Sequence, residues 1–411
     1  MDTGHIAWML TSTALVLFMT PGLAFFYGGL VRGRNVVSTL MYSFIAMGVA
    51  SIVWVLWGFS LAFNDASNFG WSGGLDYIGL AKIGAGNGEL GWDIPDLLVA
   101  AFQMTFAIIT PALITGAFVE RFKFTTYLIF LVLWVTFVYA PICYWVWGGG
   151  WIGSLDGGTL DFAGGTVVHI NAGIAAVAAA YLVGKRRNAG IEPHNVPFVV
   201  LGAAILWIGW FGFNAGSAGA ANGTAVFAFV NTNTAAAVAA VTWALLSYIH
   251  TGRISGVGVA TGAVAGLVAV TPAAGWVGVA GALAIGLGAG IICHYAVHFE
   301  ILRKIGLDDS LEVFAVHGLG GIWGALATGI FAWGALTDSD GGLVNGNAGH
   351  FVANLIAVVA TLAYSGIVSF IILFVLDKIP GLGLRISESD EDMGIDISSH
   401  GERGYVADGA D

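Results

Sequence analysis

Long uncharged runs of apolar residues recur along the chain and are separated by short polar clusters. The runs include residues 6–31, 36–63, 97–119 and 124–155. Each is long enough for a helix that crosses a bilayer, which needs about 20 residues. The pattern predicts an all-α membrane protein in which no soluble domain separates the spans.

Charged residues and turn-rich clusters divide the chain into eleven predicted spans. Their first residues lie near positions 6, 37, 97, 125, 163, 196, 227, 255, 279, 312 and 349. Two of the breaks, 214–224 and 271–278, contain no charge and depend on Gly, Asn and Pro as turn formers. The count of eleven therefore depends on uncharged turns at two places.

The basic residues predict the orientation of the spans. Thirteen of the fourteen Lys and Arg residues follow spans one, three, five, seven, nine and eleven, and Lys82 is the exception. Because basic residues concentrate on the cytoplasmic side of a membrane, we expect the amino terminus outside and the carboxyl terminus in the cytoplasm of a multi-pass protein. The opening MDTGHIAW has no basic residue before its apolar run. It lacks the positive region of a cleaved signal peptide, so the first run is expected to remain as a span.

The composition agrees with this class and excludes others. Only 9% of the residues are charged, whereas soluble domains have about a quarter. The 62 glycines follow no collagen-like period, so they indicate helices that pack through small residues. Cys143 and Cys293 lie in apolar surroundings and form neither a disulfide framework nor a paired-thiol motif. We therefore expect no redox chemistry and no cofactor.

A change in composition near residue 377 predicts two parts, a membrane domain at 1–376 and a tail at 377–411. The tail contains nine acidic and three basic residues, which supply six of the eleven net negative charges. Composition alone favours a solvated appendage on the cytoplasmic side. Its length would also allow a docking role.

Two segments, 161–173 and 309–321, repeat one spacing: the first residue is Asp, the ninth is His and the last is Gly. The first segment belongs to a span that runs inward and the second to a span that runs outward. This antiparallel repetition is typical of inverted-topology repeats. We expect two halves, at about 6–187 and 196–335, followed by a final long helix at about 349–376.

The repeated histidines are the first candidates for chemistry. Eight helical residues rise about 12 Å, which places His169 and His317 near mid-membrane, where the two rings can meet. Ionisable groups inside spans are costly and usually line a pathway. We expect a neutral, hydrogen-bonded pair that binds a small polar molecule or moves a proton. The alternative is a pair of buried side chains that only lock two helices together.

The repeated aspartates are expected to have a different role. Eight residues rotate a helix about 80° beyond two full turns, so neither Asp faces the His of its own segment. We expect Asp161 to act as an N-cap that accepts hydrogen bonds from the backbone N–H groups of Ala163 and Gly164. Asp309 is expected to cap its helix in the same way at the cytoplasmic mouth.

Metal binding competes with these interpretations, because neutral imidazole is a common metal ligand. No third ligand stands near mid-span beside His169 and His317. His294 and His298 form a second candidate, an i, i+4 pair beside Cys293. Interfacial histidines explain that pair more simply, so we predict no metal site.

Aromatic residues cluster in three segments, 102–106, 144–151 and 207–217. Most such rings belong to the core or to the belts at membrane interfaces. A cluster at the outer end that includes Trp147 would also hold a small cation by cation–π attraction. A nearby Ser or Thr hydroxyl would then accept a hydrogen bond from it.

Ordered motifs along nearly the whole chain carry a family resemblance. They are PGLAFFYGGLVR, FQMTFAIITPALI, AFVER, YWVWGGGW, DFAGGTVVHINAG, GKRR, GWFGFNAGSA, DDSLEVFAVHGLGGIWG and the tail segment GLRISESDEDMGIDISSHGERGY. The chain resembles the ammonium transporters of the Amt/MEP/Rh group, in particular their prokaryotic Amt-type members.

The resemblance implies a fold, a function and partners. It implies a homotrimer of eleven-helix protomers in the cell membrane, each with its own narrow apolar pore for ammonium or ammonia. Methylammonium would be an analogue of the substrate. The tail resembles a segment that packs across neighbouring subunits and communicates with trimeric PII-type nitrogen-signalling proteins. An enzymatic activity is not implied.

The resemblance also assigns residues by motif. Phe102, Trp147 and Ser217 look like the outer ammonium-recruiting site, and Phe106 with Phe213 looks like the pair of rings that closes the pore below it.

At mid-membrane, His169 and His317 look like the family's twin histidines. Asp161 resembles its buried outer acid, which together with Asp309 would be structural or electrostatic in action.

Three departures from the family pattern are visible. The loop between Trp147 and Asp161 is slightly longer, Glu312 stands where Asp is frequent, and the tail extends as GYVADGAD at 404–411. They leave the assignments in the pore unchanged and concern mainly the tail and its partner.

Two alternative functions stay open. An ammonium sensor that signals through its tail would be compatible with the tail, and with transport as well. A metal-dependent intramembrane hydrolase is disfavoured because the chain has no HExxH motif and no Ser/His arrangement near mid-membrane. The residues do not distinguish transport of NH3, of NH4+, or of NH3 with a proton.

Overall fold

The computed structural model describes residues 2–65, 70–86, 90–190, 192–337 and 341–405. These residues form helices, loops and two isolated β-bridges. The bundle helices are α1 (Thr3–Leu30), α2 (Gly33–Phe63), α3 (Asp96–Ala117), α4 (Phe124–Val146), α5 (Gly165–Val183), α6 (Val196–Gly216), α7 (Gly223–Thr251), α8 (Gly256–Val270), α9 (Val279–Lys304), α10 (Phe314–Phe331) and α11 (Gly349–Lys378). Within the described ranges, ten of them are long and apolar enough to cross a membrane, and α8 is shorter.

The helices begin within a few residues of the predicted starts. The largest differences are four residues, at α2 and α7, which begin at Gly33 and Gly223 rather than near 37 and 227. α5 and α10 begin at Gly165 and Phe314, each two residues later than predicted. Just before these starts, Gly164 and Glu312 have φ angles of 116° and 58°. A right-handed helix cannot continue through a left-handed residue, so both helices start after it.

Glycines allow the first helices of the two predicted halves to touch along their backbones. A Cβ added to Gly202 of α6 would lie 2.2 Å from the backbone nitrogen of Phe26 in α1. One added to Gly29 would lie 2.7 Å from the backbone nitrogen of Val199. This is the close packing through small residues that the glycine content predicts.

The helices that carry the repeated motif also cross in close contact. A Cβ on Gly173 of α5 would lie 2.5 Å from the Cα of Gly318 in α10. One on Gly321 would lie 3.1 Å from the Cβ of His169. The glycines at the ends of the two motifs therefore let α5 and α10 approach, which carries both histidines to the middle of the bundle.

The described part of the tail lies against the end of the bundle that contains Arg121. We call this end of the bundle the tail face. The carbonyl of Arg121 accepts a hydrogen bond from the N–H of Ile386 (3.1 Å), and Leu384 accepts one from the N–H of Lys123 (2.8 Å). Leu384 and Ile395 are buried. The solvated state expected from composition is therefore wrong for this segment, and residues 406–411 lie outside the described residues.

The acidic residues of the tail bind to the bundle rather than to water alone. The Asp396 carboxylate accepts hydrogen bonds from the backbone N–H groups of Val37 (3.0 Å) and Ser38 (2.8 Å) at the start of α2. Arg187 forms ion pairs with Glu388 and Asp392 of the tail. Ion pairs between residues that are far apart in the chain produce no recognisable pattern in the sequence. Composition alone therefore does not predict that the tail docks on the bundle.

α2 starts at the tail face, where Asp396 caps it, and crosses the bundle. Its last residue, Phe63, therefore lies at the opposite end. We call that end the distal face.

Candidate functional site

His169 and His317 form the polar centre of the bundle. Each lies in a wide π-helical turn, at Gly165–Ile170 and Phe314–Gly318, a feature that is frequent at functional sites. Their Nδ1 atoms are 3.2 Å apart, and the side chains are 1% and 4% exposed. A neutral imidazole has one N–H donor and one acceptor, so a single proton is shared in this contact, with one ring donating and the other accepting.

Two aromatic rings of α6 stack beside His169. The ring centroids of Trp210 and Phe213 lie 5.5 Å and 6.0 Å from that of His169, at interplanar angles of 26° and 19°. The Trp210 indole N–H donates to the hydroxyl of Thr271 (2.8 Å). Trp210 was not among the predicted site residues, although its spacing of three residues from Phe213 on one helix indicates a shared face.

Phe106 and Phe213 lie between His169 and Trp147. Their ring centroids are 4.2 Å apart at 38°, and both side chains are buried. Trp147 meets Phe106 edge to face, with centroids 5.9 Å apart. The two predicted gate residues are thus in direct contact.

A narrow cavity continues from the Phe213 ring along the histidines. It measures about 10 Å³ and is lined by His169, His317, Phe213 and apolar side chains such as Leu23 and Val264. A cavity needs about this volume to hold one water molecule. The cavity therefore has space for about one molecule of that size.

A wider cavity of about 670 Å³ opens at the distal face. Trp147, Ser217 and Asp161 contribute to its wall. Phe102, the third residue of the predicted recruiting site, is fully buried and is not among the lining residues. Its ring packs edge to face against Phe106, with centroids 5.0 Å apart. The structure therefore places Trp147 and Ser217 on the cavity wall and Phe102 behind it.

Several residues of this wall were not predicted from the sequence, and four of them are large aromatic or polar side chains that face the cavity: Trp92, Gln103, Phe162 and Trp276. Gln103 gave a usable signal, because it is a polar residue inside an apolar span. The three aromatic residues lie outside the long apolar helices, where periodicity does not indicate which surface a side chain faces.

Asp161 caps the start of α5 more extensively than predicted. Its carboxylate accepts hydrogen bonds from the backbone N–H groups of Gly164, Gly165, Thr166 and Val167 and from the hydroxyl of Thr166. Gly164 is one of the two expected donors, and Ala163 is not among the donors. The left-handed turn at Gly164 moves the helix start to Gly165, so the carboxylate faces later N–H groups than in a regular N-cap.

The main chain of Asp161 also positions Trp147. Its carbonyl accepts the indole N–H of Trp147 at 2.9 Å. The residue therefore connects the start of α5 with the aromatic side chain of the wider cavity.

Asp309 occupies the corresponding position before α10. Its carboxylate accepts the N–H of Phe314 at 2.8 Å, which agrees with the predicted cap. Burial raises the pKa of Asp309 to about 6. Burial and the neighbouring Asp309 charge raise the pKa of Glu312 to about 8. Asp309 and Glu312, which precede α10 at the tail face, are therefore more easily protonated than ordinary carboxyls.

The adjacent Asp308 is stabilised in its charged form. Arg186 binds its carboxylate through Nε (2.9 Å) and Nη2 (2.6 Å), and the N–H of the same arginine adds a third bond (2.8 Å). Burial opposes ionisation, but the bonds and charge of Arg186 outweigh it and lower the pKa of Asp308 to about 2. This ion pair fixes the loop that precedes α10.

A model of the Ammonium Transporter Family matches residues 7–405. The chain belongs to this family. It is 45% identical over 407 residues to the ammonium transporter of Bacillus subtilis, covering 98% of this chain and 99% of that one. It is 46% identical over 410 residues to ammonium transporter Amt1 of Archaeoglobus fulgidus, covering 99% and 100% of the two chains.

Solved structures of this ammonium transporter family share the fold. The crystal structure of Candida albicans Mep2 superposes with a TM-score of 0.88 at 37% identity, covering 95% of this chain and 88% of that one. A protein described as a sensor Amt protein superposes with a TM-score of 0.86 at 29% identity, covering 97% and 98%. The resemblance inferred from the motifs is confirmed.

Proposed function

We propose that this chain carries ammonium or ammonia across the cell membrane through a narrow pore in each subunit, and that it is not an enzyme. The observation that carries the proposal is the continuous line from the wider cavity through the rings of Phe106 and Phe213 to His169 and His317. Membership of the ammonium transporter family and the names of its relatives support it.

The proposed topology has eleven spans, with α8 as a short span, and the tail face in the cytoplasm. Arg32, Arg121 and Arg186 lie at the tail face, where they bind Glu120 and Asp308. This agrees with the concentration of basic residues on the cytoplasmic side. We further propose that three such chains form a homotrimer.

Recruitment takes place at the distal, external face. The Trp147 ring attracts ammonium through its π face, and Phe102 supports the site from behind. The Ser217 hydroxyl donates its proton to the carbonyl of Phe213 (2.7 Å). Its oxygen lone pairs are then available to accept an N–H bond from ammonium.

Selection against potassium depends on deprotonation rather than on pore width. Bare ammonium and potassium are similar in size, so a hole alone does not separate them. The contacting Phe106 and Phe213 rings and the cavity of about 10 Å³ exclude a hydrated ion. Ammonium can release a proton and continue as neutral ammonia, whereas potassium has no proton to release.

The histidine pair provides the polar part of this path. It accepts N–H hydrogen bonds from the substrate and carries the released proton separately. Nε2 of His169 has no hydrogen-bond partner among the described residues, so it is available for this contact. Asp161 acts indirectly, because its carboxylate is occupied by the donors at the start of α5, and it holds the helix and Trp147 in place.

The tail gives a second, compatible role as a sensor. It is docked at the tail face, where a PII-type nitrogen-regulatory protein would bind it, and the similarity to a sensor Amt protein favours signalling. Truncation after Gly383 separates the two functions in an uptake assay. A transporter with a regulatory tail retains uptake, while a pure sensor moves no substrate with or without the tail.

The proposal is tested by an ammonium pulse on proteoliposomes attached to a solid-supported membrane, with an internal pH dye. We expect a current, an internal pH change, or both, beyond those of protein-free liposomes, and no response to a potassium pulse. Absence of both signals in liposomes with correctly folded protein would overturn it.

A further inference from the structure

Three histidines meet at the tail face, away from the central pair. His250 lies in the last turn of α7, and His294 and His298 lie at the end of α9. Nδ1 of His250 is 3.1 Å from Nε2 of His294, although 44 residues separate them. One nitrogen atom from each of the three rings lies within 4.8 Å of the corresponding nitrogen atoms of the other two.

The packing of α7 on α9 produces this cluster. A Cβ on Gly286 of α9 would lie 2.5 Å from the carbonyl oxygen of Ala235 in α7, so the two backbones are in contact. His294 and His298, four residues apart, share one face of α9. The regular part of α9 ends at His298, close to the end of α7 at Thr251. The rings therefore converge at the ends of two closely packed helices.

The surroundings of the rings suit a ligand that enters from water. His294 is 4% exposed, and its Nδ1 has no hydrogen-bond partner within the part of the chain that the structure describes. His250 and His298 are exposed. All three line a cavity of about 360 Å³. The cavity gives an ion access to the nitrogens and leaves space for a water molecule as a further ligand.

The distances fit a transition metal after a small adjustment. A tetrahedral Zn²⁺ binds imidazole nitrogens at about 2.0–2.1 Å, which places them about 3.3 Å from one another. The rings are nearly parallel, with interplanar angles of 8° to 14°. Imidazole lone pairs lie in the ring plane, so binding one ion requires the rings to rotate, and the two exposed histidines, His250 and His298, are the ones with space to do so.

We propose that His250, His294 and His298 form a binding site for one transition-metal ion of the zinc class, with water as the fourth ligand. Imidazole selects Zn²⁺, Co²⁺, Ni²⁺ and Cu²⁺ over Mg²⁺ and Ca²⁺, which prefer oxygen ligands. The sequence identifies two of the three ligands. Cys293, their neighbour in the chain, is not among them, because its thiol faces the carbonyl of Val316 at 4.0 Å.

The site is tested on the untagged full-length protein in detergent after treatment with a chelator. Co²⁺ is titrated first, because a tetrahedral Co²⁺ site has strong visible absorption bands, and Zn²⁺ affinity is then measured by calorimetry, with Mg²⁺ as the control ion. We expect one Co²⁺ or Zn²⁺ per chain and no saturable binding of Mg²⁺. His250→Gln and His298→Gln should each weaken Zn²⁺ binding by about tenfold or more, and the control His5→Gln should leave it unchanged.

The native titration decides the proposal by itself. No visible Co²⁺ bands and no saturable Zn²⁺ binding would mean that the three rings only stack. Binding of equal strength in the native chain, His250→Gln and His298→Gln would mean that the ion binds elsewhere, which also overturns the site. Because the substituted side chains are exposed, an unchanged melting temperature without metal is expected for both variants.

Discussion

The Nδ1 atoms of His169 and His317 lie 3.2 Å apart, although 148 residues separate the two side chains in the sequence. They meet because α5 and α10 cross where Gly173 faces Gly318. The hydrogen bond between the two histidines therefore depends on the absence of side chains at Gly173 and Gly318.

Gly173→Ala is expected to separate the two helices and to weaken the histidine contact. The added Cβ would lie 2.5 Å from a backbone atom of Gly318, which no side-chain rotation relieves. We expect a loss of about 1–3 kcal/mol in stability and a lower rate of ammonium transport, measured by thermal unfolding and by flux into proteoliposomes.

Gly48→Ala is the matched control, since no atom outside the local backbone of its own helix lies within 4 Å of the added Cβ among the described residues. In a helix, this change should stabilise the protein by about 0.5–1 kcal/mol. Equal stability and equal flux for the two variants would contradict the proposed importance of the crossing.

Asp161→Ala is expected to destabilise the protein and to reduce transport together. The substitution leaves the N–H groups of Gly165 and Thr166, among others, without their acceptor. Loss of a helix cap costs about 0.5–2 kcal/mol. Asp161→Asn keeps one acceptor oxygen and should have the smaller effect on the melting temperature. A variant that melts like the native protein but transports nothing would show that the charge, not the cap, is required.

Glu312→Gln is expected to change how stability depends on pH. Burial and the charge of Asp309 raise the pKa of Glu312 from 4.5 to about 8. Between pH 4.5 and about pH 8, the folded protein keeps a proton on Glu312 that the unfolded chain releases. The free energy of unfolding therefore falls as the pH rises through this interval. The melting temperature of the native protein should therefore fall relative to Glu312→Gln across this interval. Parallel curves for the two proteins would contradict the proposed protonation.

Asp396→Ala is expected to release the tail from the tail face. The change removes the acceptor for the N–H groups of Val37 and Ser38, a cap worth about 0.5–2 kcal/mol. Limited proteolysis should cut the tail of this variant faster than that of the native protein. Asp392→Ala is the control, because it removes only an exposed ion pair with Arg187, worth at most about 1 kcal/mol. Equal cleavage rates for both variants would contradict the docking role of Asp396.

The sequence predicts the helices well because uncharged apolar runs are long and nearly continuous. The starts of α5 and α10 are displaced because the residues before them, Gly164 and Glu312, adopt left-handed backbone angles. Hydropathy contains no information on such angles. Hydropathy also does not show that α8 has only 15 residues, because the turn that follows it, at 271–278, carries no charge.

The site was predictable where a repeat or a motif marked it, as for His169 and His317. It was not predictable where contacts join distant segments without a repeat. Trp92 reaches the wider cavity from a loop, and His250 joins His294 from a different helix. The position of Phe102 behind the cavity wall depends on how α3 is rotated, which a motif match does not define.

The most direct test of the account measures methylammonium and potassium currents in proteoliposomes with the native protein, His169→Ala and His317→Ala. We expect each substitution to lower transport or to weaken discrimination against potassium, because the polar centre that receives the deprotonated substrate is lost. Unchanged transport together with unchanged selectivity over potassium in both variants would contradict the central role of the histidine pair.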